Sequence, residues 1–406
     1  MKISRLNLLS LLLFFLLPRT LSGQPVPAIL YPFTQNPPYY AVPFLSFTPD
    51  ARAGSLGDAG VATSPDINSQ HWNPAKYAFM EGSAGVALSY TPWMRRVVSD
   101  LNLFYAAGFY RIDHRQFISS SVRYIDLGEI FLITPAGSPF VSYRPADLAV
   151  DMAYSRKMSD QWSMALALRY IRSDLKKVSA LGFTSSELAT SLAGDLAFYH
   201  LRNIILFNKD SRLAFGINLS NMGSKMAYSE KTPGAFIPAN MRLGGALTVP
   251  LGQQNSLSLM TDLNKLMVPT PAQPECDTVG TTIFYGKDTD VPVLQGMIRS
   301  FWDAPGVVKD NGKRSVLLEE LHEITCSFGL EYWYKHLLAL RTGYFNEHET
   351  KGNRKYFTIG AGLQLNYLGL DCNYILPVYH NSHFVNTFRL TVTVLLNDNV
   401  NTGKKL

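Results

Sequence analysis

Residues able to do acid–base or metal chemistry are few and scattered. Eight histidines are spread over 406 residues, and only His380-x-x-His383 brings two within a short span. Two imidazoles at that spacing could share a metal, but no Cys, Asp or Glu stands beside them to complete a ligand set. A hydrolase would need a nucleophile, a base and an orienting carboxylate. No G-x-S-x-G is present, and Ser55 and Ser69 near His71 are better read as structural residues. Glu347 and Glu349 have no fixed partner in the sequence. Cys276, Cys326 and Cys372 make neither a zinc pattern nor a disulfide framework. The pattern predicts no enzyme activity, no metal and no cofactor. Lys and Arg are dispersed rather than striped, so no nucleic-acid footprint is expected.

The elements that carry these residues begin with an export signal. Lys2 and Arg5 precede a compact apolar run from Leu6 to Leu17, broken by Pro18 and closed by Leu21-Ser22-Gly23. That is the layout of a removable signal peptide over residues 1–23, too short to span a bilayer as a mature helix. Its removal takes away Lys2, Arg5 and Arg19 and lowers the formal net charge of +6 by three. Aromatics reach 12% while charged residues are only 17%, below the soluble norm of about 25%. No mature stretch offers the ~18 unbroken apolar residues of a membrane helix. An exported, aromatic-rich chain without a spanning helix points to a closed transmembrane β-barrel.

From 83 to 396 the dominant pattern is two-residue alternation, which sends successive side chains to opposite faces of a strand. Phe357, Ile359, Ala361, Leu363 and Leu365 alternate with Tyr356, Thr358, Gly360, Gly362 and Gln364. Trp162, Met164, Leu166, Leu168 and Tyr170 alternate with Ser163, Ala165, Ala167, Arg169 and Ile171. The runs are 83–90, 101–111, 116–126, 147–156, 162–172, 190–200, 212–221, 240–249, 255–265, 325–334, 337–345, 355–365, 368–376 and 386–396. This predicts an all-β fold, an antiparallel barrel of about fourteen strands. Many runs reach the ~9–11 residues that a tilted strand needs to cross a bilayer. Connections alternate long and short, as extracellular loops and periplasmic turns do; 201–211 fits least well. Residues 397–406 form a tail.

Inward-facing Arg169, Arg212, Arg242, Arg341 and Arg389, with Asp147, Asp151, Asp262 and Asp371, are expected to pair across the lumen or with material inside it, because unpaired buried charge is costly. The longest connection, 266–324, suits a functional extracellular insertion, with short helices expected at 293–302 and 315–324. Cys276 and Cys326 bracket most of it and are expected to form a disulfide, a useful constraint on a long loop. Cys372 is read as a lipid-facing hydrophobe. Exposed apolar loop residues would anchor partners: Trp93 and Met94 in the first loop, Phe183 in the third, Phe236 and Ile237 in the fourth, Trp302 in the fifth.

Residues 24–82 precede the barrel. The first part is rich in Pro, Tyr and Phe. The second contains Pro49-Asp50-Ala51-Arg52-Ala53-Gly54-Ser55-Leu56-Gly57-Asp58-Ala59-Gly60, then Trp72-Asn73-Pro74-Ala75. It lacks the lysine and spacing of a phosphate-binding loop. This block resembles the N-terminal signature of the PorV family, shared by PorQ-type relatives, and its Asn-Pro-Ala element resembles the wider FadL-type superfamily. The resemblance implies a fourteen-stranded FadL-like barrel whose N-terminal segment is a hatch, with Pro49, Asp50, Arg52, Gly54, Gly57, Asp58, Gly60, Asn73 and Pro74 as its motif. It also implies a place in the outer membrane, in contact with lipid and lipopolysaccharide, and a role in type IX secretion. In that role the chain takes cargo bearing a C-terminal signal domain from a SprA/Sov-like translocon barrel to an attachment complex containing the sortase-like PorU. A FadL-type channel for a hydrophobic small molecule is the alternative.

Overall fold

The computed structural model describes residues 35–93, 100–132, 141–175, 178–179, 182–183, 188–228, 233–276, 282–379 and 387–396. The expected signal peptide, the tail, Met94 and the His380/His383 pair lie outside the described residues.

Fourteen strands form one closed antiparallel barrel. They are β1 (Ala84–Pro92), β2 (Asn102–Arg111), β3 (Gln116–Asp126), β4 (Ala146–Lys157), β5 (Trp162–Asp174), β6 (Ala189–Leu206) and β7 (Lys209–Gly223). They continue with β8 (Asn240–Pro250), β9 (Ser256–Leu266), β10 (Thr325–Tyr334), β11 (Leu338–Asn346), β12 (Lys355–Leu365), β13 (Leu368–Pro377) and β14 (Phe388–Leu396). Each strand pairs with the next, and β1 closes on β14 from Ala84↔Leu396 to Tyr90↔Leu390. Closure leaves no unpaired edge, the condition for a sheet in lipid. No helix among the described residues is long and apolar enough to cross a membrane.

The alternation has the inside-out sense of a lipid-facing wall. Leu168 is 77% exposed while its neighbour Arg169 is 5% exposed. Phe104, Tyr124, Tyr170, Phe328, Phe357 and Phe388 are exposed near the strand ends that meet the long connections. Tyr110, Tyr154, Trp162 and Tyr334 are exposed near the opposite ends. These are the two aromatic girdles that mark headgroup levels. Leu168 lies midway along β5, so Leu168→Arg is expected to cost about 2–4 kcal/mol of stability, read as a lower denaturant midpoint for the protein unfolded from vesicles.

The poorly fitting connection 201–211 is not a loop. β6 and β7 stay paired down to Leu206↔Lys209. A two-residue turn joins them, with Phe207 at φ 51° and Asn208 at φ 59°. Two successive positive φ values are what a tight type I′ hairpin needs. Lys335 and His336, at 52° and 51°, open a three-residue turn that closes β10 onto β11 at Tyr334↔Leu338.

The insertion carries two short helices, α3 (Val293–Arg299) and α4 (Val316–His322), near the expected positions. The expected Cys276–Cys326 disulfide is corrected: Cys326 is a free thiol, and the side chain of Cys276 lies outside the described residues. Cys326 alternates with inward Ser327 and shares the outer face of β10 with exposed Phe328. Its thiol therefore points away from the lumen.

Candidate functional site: the plugged lumen and the extracellular cap

Residues 35–80 fill the barrel as a plug, and the Gly- and Asp-rich block supplies its frame. Asp50 caps helix α1 (Ala51–Gly54) by accepting from the Ala53 N–H at 2.9 Å, the usual role of an Asp before a helix. Its other oxygen accepts from Trp72 Nε1 at 2.7 Å, which joins α1 to helix α2 (Ser69–Trp72). Asn73 accepts from the Ala75 N–H at 3.1 Å and caps the 3₁₀ turn Pro74–Phe79. Its amide donates to Val61 O at 3.1 Å and to Phe198 O of β6 at 2.9 Å. Pro74 occupies the first helical position, where no N–H is missed. Its carbonyl and that of Ala75 accept from Ser155 and Ser163 of the wall, both at 2.7 Å.

Arg52 makes the strongest tie. Its Nε and Nη2 donate to both oxygens of Glu331 on β10, at 3.1 and 3.0 Å, the bidentate geometry that suits a guanidinium. Its Nη1 also reaches Asp66 of the plug at 2.8 Å. Glu331 in turn accepts from Arg341 at 2.6 Å, and Arg341 binds Asp371 at 2.5 Å. A second tie uses Asp262 of β9, one oxygen of which accepts from the N–H groups of Gly60 and Val61 at 2.7 and 2.9 Å. In a third, Arg123 donates to His71 Nδ1 at 2.6 Å and to Leu45 O at 3.0 Å. Arg242 donates to His71 O at 2.9 Å. On the remaining wall Arg169 pairs with Asp151 at 3.0 Å and Asp195 at 2.9 Å.

The motif residues lie together in this plug. Pro49, Asp50, Arg52, Gly54, Gly57, Gly60, Asn73 and Pro74 are all buried and Asp58 is half-buried, its carboxylate accepting from Tyr356 OH. Glu331 and Asp66 were not singled out from the sequence. Glu331 was legible, since it alternates inward with Ser327 and Gly329. Asp66 had no such signal, because the plug has no regular period. Arg389 faces the lumen beside Asn373 at 3.3 Å. Asp147 accepts from Ser173 at 2.5 Å. Arg212 departs from expectation: it is exposed and lines a cavity of about 260 Å³ at the short-turn end, with Tyr199, Trp333 and His336.

No hydrolytic set forms at His71. Ser55 Oγ donates to Ala51 O at 2.6 Å and Ser69 Oγ to Asp66 at 3.1 Å, whereas the imidazole lies against two arginines. Burial first, and the cations of Arg123 and Arg242 next, hold its pKa well below the ordinary imidazole value.

Above the plug, three of the four described anchor candidates prove to be packing residues or lie in packed segments. Trp93 is buried and stacks on Phe47 with centroids 4.5 Å apart. Phe236 and Ile237 are buried as well, because the first part of the plug runs beneath them, with the Ala41 N–H donating to Phe236 O at 2.7 Å. Trp302 is exposed. The side chain of Phe183 lies outside the described residues.

The insertion is pinned to the rim by a buried ionic cluster. Lys265 of β9 binds Glu320 at 2.8 Å and Glu323 at 2.7 Å. Lys351 binds Glu319 at 2.6 Å and Glu323 at 2.9 Å. The same carboxylates accept from the N–H groups of Ala304 and Gly306. His322 stacks on His348 with centroids 3.5 Å apart. Asp303 lies in the cluster, and burial first, then the neighbouring Glu320 and Glu323, raise its pKa to about 7. A carboxyl whose folded pKa is raised binds its proton more tightly when folded, so the docked insertion gains stability as pH falls through 7. The protection of α4 amides against hydrogen exchange, corrected for the intrinsic pH dependence of exchange, is expected to rise between pH 8 and 6.5, above the range where the histidines charge. Asp303→Asn is expected to abolish that difference.

A family model described as type IX secretion system protein PorV matches residues 35–273, the plug and the barrel through β9. No curated protein matches the chain. Solved structures similar in outline include the toluene transporter TbuX of Ralstonia pickettii, at 10% identity and TM-score 0.45, covering 86% of this chain and 98% of that one. The toluene transporter TodX of Pseudomonas putida has 10% identity and TM-score 0.47, with 89% and 98% covered. A FadL homologue of Pseudomonas aeruginosa has 10% identity and TM-score 0.40, with 86% and 99% covered. Because the matched stretch takes in more than half of the chain, including every residue of the plug motif, this outer-membrane barrel belongs to the PorV family of type IX secretion system proteins.

Proposed function

We propose that the protein receives the C-terminal signal domain of secreted cargo from a SprA/Sov-like translocon barrel and carries it to the attachment complex that contains sortase-like PorU. The observation that carries this reading is the plug. Its ties to β9, β10 and β12 occupy the lumen, so a folded cargo domain has no path through the barrel. Work on cargo then falls to the outer surface and the extracellular cap, whose insertion is the largest feature on that side. The hatch motif acts in this reading as the lumen's closure.

A clean deletion tests the proposal. Cargo bearing the signal domain should collect in the periplasm of the deleted strain and return to the surface on complementation, followed by fractionation and surface labelling. Normal surface display without the protein would defeat it.

A further inference from the structure

Helix α4 is built with its polarity reversed. A short surface helix in water buries its leucines and exposes its glutamates. Here Glu319, Glu320 and Glu323 are buried on Lys265 and Lys351, while Leu317 is 71% exposed and Leu321 54% exposed. The preceding helix buries Gly296 and Met297 but also exposes apolar residues, Leu294 at 69% and Ile298 one turn on at 51%. Phe284 and Trp302 are exposed beside them in the chain. Exposed leucine and isoleucine stripes of this kind would be costly in water.

We propose that this outer face of the insertion lies in the outer leaflet of the membrane around the barrel. Its leucines would enter the acyl-chain boundary, and its basic residues would meet anionic lipid phosphates.

Continuity with the lipid-facing wall supports the placement. Only Glu323 and Ile324 separate α4 from β10, whose Phe328 stands in the extracellular-side girdle, and Leu263 of the paired strand β9 is exposed on the same face. The helix therefore ends near headgroup level, and at ~1.5 Å rise per residue it extends only about 10 Å from there. Charge supports it as well. The acids Asp303, Glu319, Glu320 and Glu323 are buried, whereas Lys287, Arg299, Lys309, Lys313 and Arg314 lie at or near the surface against Asp288, Asp290 and Asp310. Asp290 is already engaged by Lys225 at 2.9 Å. Lys287 Nζ lies 6.0 Å from the centre of the exposed Trp302 ring. An apolar face edged by cations is the composition of an interfacial segment on anionic lipid.

The test uses the full-length barrel with its three native cysteines changed to serine and a polarity-sensitive dye on Leu317→Cys, Leu321→Cys or Asp310→Cys. Each is reconstituted in phosphatidylethanolamine–phosphatidylglycerol vesicles, with folding checked by heat-modifiable gel mobility. Bromine on the acyl chains should quench the dyes at 317 and 321 at least twofold, and aqueous iodide should quench only the dye at 310. Lys287→Glu, Lys309→Glu and Lys313→Glu together should reduce the quenching by bromine at 317 at least twofold. Free access of iodide to 317 would overturn the proposal, and so would shielding from both quenchers, which would mean that a second protein copy covers the face. An unchanged bromine effect in the triple variant would overturn the role given to the bases.

Discussion

Arg52→Ala is expected to loosen the plug while leaving the barrel wall closed. The change removes one of the two cations on Glu331, the only ion-pair partner of Asp66 among the described residues, and a donor to Ser64. Breaking a buried pair from one side costs about 3–5 kcal/mol, because the remaining charge stays buried without its partner. The wall keeps its own hydrogen-bond ladder on both sides of β10, so the loss should fall on the plug. In planar bilayers the variant should open far more often than the parent. Cells carrying it should admit a bulky antibiotic that the parent excludes. Arg52→Lys, which keeps the charge and loses the two-pronged contact, should fall between the two. A variant as tight as the parent would show that the plug is held elsewhere.

The second large effect is expected at Gly57. Its φ of +67° is one that side chains with a Cβ rarely adopt, and a Cβ there would stand 2.6 Å from both N and O of Tyr344 on β11. Those atoms belong to a paired strand and cannot move aside. Gly57→Val therefore combines roughly 1–2 kcal/mol of left-handed backbone strain with about 1–3 kcal/mol of overpacking. Gly312, at φ +74° with nothing within 4 Å of its Cβ position, provides the control: the same substitution there meets only the backbone term. Protease cleavage within 49–79 should rise sharply in the first variant and stay near the parent rate in the second. Equal cleavage in the two would mean that the close approach to β11 does not hold the plug.

Strand number, face and order were readable because each depends on neighbours in the chain. Leu168 faces out and Arg169 in, as the two-residue period requires. The orientation of Cys326 was readable too, since Phe328 lies two residues on, and the disulfide expectation set that alternation aside in favour of loop length. The connection 201–211 was misread because Ile204-Ile205-Leu206-Phe207 does not alternate, although its backbone continues the ladder past both neighbouring strands.

Taken alone, the sequence determined a closed, lipid-embedded sheet and the chemical kinds of residue that would line it, since a strand's two faces follow from its period. Tertiary structure decided which partners those residues found. Arg52 meets Glu331 across 279 positions of chain, a distance over which no local rule acts. Trp93, Phe236 and Ile237 turned inward because the first part of the plug passes beneath their loops. Helix α4 shows the same division: helical spacing defined an acidic face and a leucine face, and only the buried lysines of the rim fixed which of the two looks outward.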